Sequence, residues 1–91
     1  MSEELDDYSA IAEEQLDKLE ASDPQTYNDV LTVCELIFTL SVSSPGRAQS
    51  LSTAVQTRDG IVFRLPVPGH APLKVFWTPA GPRVEAVFPH P

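Results

Sequence analysis

A chain of 91 residues carries enough apolar residues for one core, so we predict a single domain over residues 1–91. Hydrophobic residues make up 42% and charged residues 21%, which is typical of globular proteins and argues against a chain that is disordered throughout. The formal net charge is −7. The single cysteine, Cys34, excludes an internal disulfide and a metal cluster built on thiolates, and its place in an apolar helical pattern predicts a buried, slowly reacting thiol.

Charge is divided unevenly along the chain. Residues 1–45 hold eleven acidic residues against Lys18, a balance of −10, and residues 46–91 hold five basic residues against Asp59 and Glu85, a balance of +3. Two interpretations stay open: an acidic helical face exposed to solvent beside a mildly basic sheet, or a basic surface that binds a polyanion.

The N-terminal residues and the hydropathy pattern bear on location. Residues 1–7 are acidic, where a secretory signal peptide begins with basic residues, and we expect them to form a flexible N-terminus. The longest apolar runs fall short of the roughly 18 residues that a membrane-spanning helix needs. The sequence therefore predicts a cytoplasmic protein that does not interact with a membrane.

Two helices are predicted in the first half of the chain. Apolar residues at three- and four-residue spacing indicate an amphipathic helix over residues 8–20, with Ser9 as a candidate N-cap. A second helix begins at Pro24, directly after the candidate cap Asp23, and ends near the Ser-Ser-Pro-Gly run at residues 43–46. Because the link is short, we predict an antiparallel helical hairpin whose second helix is the more buried.

The second half of the chain is predicted to form strands. Residues 47–60 indicate a packed loop or a short helical turn anchored by Leu51 and Val55. Runs rich in β-branched and aromatic residues then predict strands over residues 61–67, 73–78 and 83–88. Their connections are too short for crossover helices, which favours an antiparallel meander. The predicted fold class is α+β, with the helical hairpin packed on a three- or four-stranded antiparallel sheet.

Alternation along the predicted strands assigns side chains to faces. Arg64 and Lys74 fall on the face opposite to most of the apolar residues of their strands. In the last strand, strict alternation places Arg83 and Val87 on one face and Val84 on the other. We therefore predict an apolar face that packs against the helices and a polar face that carries Arg64, Lys74 and Arg83.

Three segments carry a resemblance to a known family. They are YSAIAEEQLDKL at residues 8–19, GIVFRL at residues 60–65 and LKVFW at residues 73–77. The first is similar to the opening helix of RelE/ParE toxins from bacterial toxin–antitoxin systems. The other two resemble the arginine-bearing strand of that family, which starts at a glycine, and the basic-hydrophobic-aromatic strand that follows it. The resemblance covers roughly residues 8–90.

The resemblance implies a toxin similar to the RelE type, which cleaves mRNA in the ribosomal A site without a metal or an organic cofactor. Such cleavage needs a base for the attacking 2′-hydroxyl, cations for the charged transition state and an acid for the leaving oxygen. By position, the resemblance assigns catalytic roles to Arg64, Lys74 and His90. Arg58 and Arg83 are predicted turn and edge residues, and we expect RNA binding from them only as contacts to phosphates.

Alternatives stay open for these residues and for the function. Arg64 could instead be a surface residue paired with Glu85, and Lys74 an ordinary solubilising residue of its strand. His90 could belong to a frayed C-terminal tail. Two other functions stay open for this chain: a ParE-like inhibitor of DNA gyrase, or a catalytically inactive family member that contacts other proteins through its acidic helices. The expected partners are a cognate antitoxin and mRNA on the ribosome, or gyrase in the alternative, with assembly as a homodimer or as a hetero-oligomer with the antitoxin.

Overall fold

Helices followed by strands make up the fold, in a computed structural model that describes residues 7–58, 60–79 and 82–89. The elements are α1 (Ala10–Ser22), α2 (Pro24–Ser43), α3 (Pro45–Ser50), β1 (Thr53–Thr57), β2 (Gly60–Pro66), β3 (Leu73–Thr78) and β4 (Arg83–Pro89). The four strands form one antiparallel sheet in the order β1-β2-β3-β4. This confirms the predicted α+β class, with the larger of the two expected strand numbers.

Both predicted helix caps are confirmed. The Ser9 Oγ atom accepts a hydrogen bond from the Ala12 amide at 3.0 Å. Asp23, the single residue between α1 and α2, accepts hydrogen bonds from the Thr26 amide at 3.2 Å and from its hydroxyl at 2.7 Å. These bonds lower the pKa of Asp23, the hydroxyl bond most strongly. Among the described residues, no helix combines the length and the apolarity needed to cross a membrane.

The segment between the helical hairpin and the predicted strands holds more structure than expected. Its first part forms α3, in agreement with a helical turn, but residues 53–57 form a strand and not a loop. The buried anchor is Ala48, whereas Leu51 is 45% exposed, so the prediction of Leu51 as an anchor was wrong. The sequence of β1 is short and polar, and its strand conformation depends on pairing with β2, for example between Val55 and Val62.

The helices cover one face of the sheet. Trp77 lies in this layer, almost fully buried, with its indole N–H donating to Ser52 Oγ at 3.0 Å and its ring centroid 5.2 Å from that of Phe63. The buried core comprises Ala12, Leu16, Val30, Val33, Cys34, Ile37, Ala48, Val67, Val75, Trp77, Val84 and Val87. Cys34 is therefore buried, as predicted.

β4 departs from strict alternation. Val84 pairs with Trp77 and Val87 pairs with Val75, with a register shift between Phe76 and Trp77. Both valines of β4 belong to the core, so the prediction that Val87 lies on the polar face was wrong. The physical reason is a bulge, which inserts one residue into a strand and shifts the alternation that follows it. The alternation of apolar and polar residues in the sequence does not show where a bulge occurs.

The two edges of the sheet differ. At the β4 edge, hydrogen bonds of 2.8 and 2.9 Å join residues 7–9 to the backbone of Val84 in a parallel bridge. The Gln15 side chain accepts a hydrogen bond from the Val87 amide at 2.6 Å. Within the described residues, β1 pairs with β2 alone and forms the other edge.

Burial of Cys34 makes the stability of the fold depend on pH. Burial raises the pKa of its thiol from 9.0 to about 11. Between pH 9 and 11 the unfolded chain loses the thiol proton while the folded chain keeps it, so the free energy of unfolding falls as the pH rises. We expect a loss of roughly 2 to 3 kcal/mol from this group, measured by urea unfolding. Cys34→Ala should show a shallower decrease, and equal slopes would contradict the assignment.

The same burial predicts slow thiol chemistry. At pH 8 the folded Cys34 thiol is protonated and out of contact with solvent, and only the thiolate reacts readily. We expect a thiol reagent to label native protein at least about tenfold more slowly than protein unfolded in urea. Rapid labelling of the native protein would show that α2 opens.

Candidate functional site

The predicted basic residues lie on the sheet face opposite to the helices, here called the outer face. Phe76 lies between Val75 and Trp77, whose side chains belong to the core under the helices. Successive side chains of a strand alternate between faces, so Phe76 points to the outer face. Residues paired across the sheet share a face, and Arg64 and Ala86 both pair with Phe76.

Arg64 and Lys74 are diagonal neighbours on the outer face. Arg64 pairs with Phe76, and Lys74 precedes Phe76 by two residues on the same strand. Such a diagonal places the two Cβ atoms roughly 7 Å apart. Both side chains are half-buried, and the Lys74 ammonium donates to the Pro72 carbonyl at 3.3 Å. The structure therefore brings two of the predicted catalytic residues together.

Arg83 lies on the outer face at the other end of the sheet. It pairs with Thr78, and its Nε atom is 3.9 Å from Glu85 Oε2. The Thr78 hydroxyl donates to the same carboxylate oxygen at 3.0 Å. The sequence suggested Glu85 as a partner of Arg64, and the structure shows it in contact with Arg83 and Thr78. Glu85 is two residues after Arg83 and shares its face by ordinary alternation, whereas the bulge changes the faces of Ala86 and Val87, which follow it.

A recess of about 450 Å³ adjoins this end of the outer face. Its polar lining includes Thr57, Thr78 and Glu85, and its apolar lining includes Val62. Hydroxyl and carboxylate groups there offer hydrogen-bond acceptors close to the Arg83 guanidinium. Sequence reasoning missed both threonines, because a neutral hydroxyl in a strand carries no signal until its neighbours across the sheet are known.

The remaining predicted residues lie elsewhere. Arg58 is exposed in the turn after β1, at the sheet edge furthest from β4. His90 lies outside the described residues. The other histidine, His70, has its Nε2 atom 2.6 Å from Asp29 Oδ2 and so ties the β2–β3 turn to α2. In the part of the chain that the structure describes, no group of three or more His, Cys, Asp or Glu side chains is placed to hold a metal ion.

Charge is segregated across the sheet. The exposed acidic residues Glu13, Glu14, Asp17 and Glu20 lie on α1. The basic residues Arg64, Lys74 and Arg83 lie on the opposite side of the sheet. The outer face, which also carries Glu85, is therefore less acidic than the helical side, and a polyanion would meet less repulsion there.

Comparison of the chain with protein-family models, with curated proteins and with solved structures finds no match. Membership of the RelE/ParE family stays a prediction from the sequence segments that resemble it.

Arg83 belongs to the surface and not to the framework of the fold. Its ion pair with Glu85 is long and both side chains are partly exposed, and such pairs contribute little to stability. We expect Arg83→Ala to change the free energy of unfolding by less than about 1 kcal/mol, measured by urea unfolding at pH 7. A larger loss would mean that Arg83 helps to fix the register of β4 at the bulge.

Proposed function

We propose that this chain is a toxin of the RelE/ParE type that acts on RNA through the outer face. The observation that supports the proposal is the diagonal pair of Arg64 and Lys74 on a sheet face opposite to the acidic helices. Arginine and lysine side chains in such positions bind the phosphate backbone without reading the base sequence. The proposal implies a cytoplasmic site of action and a cognate antitoxin that restrains the protein.

The same residues suit the chemistry of RNA cleavage by an internal 2′-hydroxyl. Positive charge from Arg64 and Lys74 would stabilise the pentacoordinate phosphate as negative charge develops on its oxygens. Glu85, held by the Thr78 hydroxyl on the same face, offers a carboxylate that can accept a proton. The role of His90 as the acid for the leaving oxygen is carried only by the sequence resemblance.

Arg64 tests the proposal most directly. We expect Arg64→Ala to relieve growth inhibition on induction and to slow mRNA cleavage in a translating extract roughly a hundredfold or more, as loss of one well-placed charged donor typically does. Arg47→Ala is the matched control, because Arg47 is an exposed arginine on α3 and lies away from the outer face. Both variants should be compared with wild type by thermal melting, so that loss of activity is separated from loss of fold.

The other outcomes distinguish the remaining functions. Inhibition of DNA supercoiling by purified wild-type protein, with mRNA left intact, would replace the nuclease proposal by a ParE-like gyrase inhibitor. Toxicity that survives Arg64→Ala would remove Arg64 from the site.

A catalytically inactive interaction module is the second candidate. It is supported by the exposed acidic residues of α1, which offer a charged surface to a basic protein partner. A wild-type protein that neither inhibits growth nor cuts mRNA, and whose binding to a partner is weakened by neutralising Glu13 and Asp17, would favour this function.

A further inference from the structure

In the part of the chain that the structure describes, β1 is an edge strand without the usual protection against pairing. Its five residues, Thr53–Thr57, include no charged residue and no proline, and four of them are exposed. Natural edge strands are commonly blunted by charges, prolines, bulges or a covering segment. At the opposite edge of this sheet, residues 7–9 and Gln15 provide such a cover for β4. The β4 edge is therefore covered by other residues of the chain, whereas the described residues leave the β1 edge uncovered.

The sequence of β1, Thr-Ala-Val-Gln-Thr, is nearly palindromic. When two copies of β1 pair antiparallel about Val55, the two Val55 residues face each other. Thr53 of each copy then pairs with Thr57 of the other, and Ala54 of each copy pairs with Gln56 of the other. Cross-strand pairs of β-branched residues are favourable, and no like charges are opposed. Self-pairing is thus possible without any mismatched position.

Apolar side chains beside β1 extend the surface available to such a partner. Leu51, two residues before the strand, is 45% exposed, and Ile61, which pairs with Gln56, is 52% exposed. Leu51 lies before the start of β1 and Ile61 lies on β2 beside the end of β1, so the two residues add exposed apolar surface near opposite ends of this edge.

We propose that β1 pairs antiparallel with β1 of a second copy of this chain, about a two-fold axis at Val55, to form a continuous eight-stranded sheet. Because the described residues leave one edge of each sheet open, the assembly closes at two copies and does not extend into a fibre. The self-complementary sequence favours a second copy over the strand of another protein. The inference rests on β1 alone and holds whether or not the chain acts on RNA.

The pairing has a consequence for the outer face. Strands paired in one sheet share their faces, so the outer faces of both copies lie on the same side and the helices on the other. From strand and residue spacings, the two Arg64 Cα atoms would be about 20 Å apart. The dimer therefore presents one extended surface with the basic residues of both copies.

Cysteine cross-linking tests the register, in a Cys34→Ala background. Val55→Cys places the two thiols on the axis, where the Cα atoms of paired residues are about 5 Å apart and a disulfide can form under mild oxidation. Thr53→Cys is the matched control, because its two copies are four residues out of register and more than about 7 Å apart. A mixture of Thr53→Cys and Thr57→Cys should cross-link again, since these positions pair. Cross-linking of Val55→Cys no faster than Thr53→Cys alone would overturn the proposal.

Molar mass in solution provides a second measurement. Five paired residues form a small interface, so we expect a concentration-dependent dimer in light scattering below about 1 mM. Val55→Lys sets two like charges opposite each other and should raise the protein concentration at which half of the chains are dimeric at least tenfold. Val42→Lys, at a position 86% exposed on α2, should leave this concentration unchanged. A wild-type protein that stays monomeric up to about 1 mM overturns the proposal, because β1 then does not pair with a second copy. A dimer unaffected by Val55→Lys also overturns it.

Discussion

Val75, Phe76 and Trp77 of β3 are consecutive and all buried, although successive side chains of a strand point to opposite faces. The strand is thus buried on both faces: the Val75 and Trp77 side chains are buried under the helices, and the Phe76 side chain is buried on the outer face. Because β3 pairs with β2 on one side and β4 on the other, its position determines the register of both neighbours. The core and the outer face are built on this one strand.

The bulge opposite Phe76 and Trp77 determines which β4 side chains lie on each face of the sheet after Glu85. It lets Val84 and Val87 both enter the core, a spacing of three that an unbroken strand cannot provide. The residues between them are left on the outer side, where Glu85 meets Thr78 and Arg83. The entry of Val87 into the core is therefore a consequence of one irregularity in β4, which leaves the consecutive residues Glu85 and Ala86 on the outer side.

The contrast between the sheet edges follows from the chain's connectivity. Residues 7–9, just before α1, run beside β4 and bond to the backbone of Val84, and the Gln15 side chain of α1 accepts a hydrogen bond from the Val87 amide. β1 emerges from α3 at the far side of the sheet, where the described residues provide no comparable cover. An unpaired row of backbone donors and acceptors costs little in water, but it remains available to a strand of matching sequence.

The sequence by itself determined the elements whose information is local. Apolar periodicity and the caps Ser9 and Asp23 were sufficient for α1 and α2, and alternation was sufficient for the faces of Arg64 and Lys74. Only the tertiary structure decided that residues 53–57 are a strand, that Val87 faces the core, and that Glu85 lies beside Thr78 and Arg83. The physical reason is that a polar edge strand, a bulge and a cross-strand contact are stabilised by pairing between segments distant in the chain. Local propensity carries no record of such pairing.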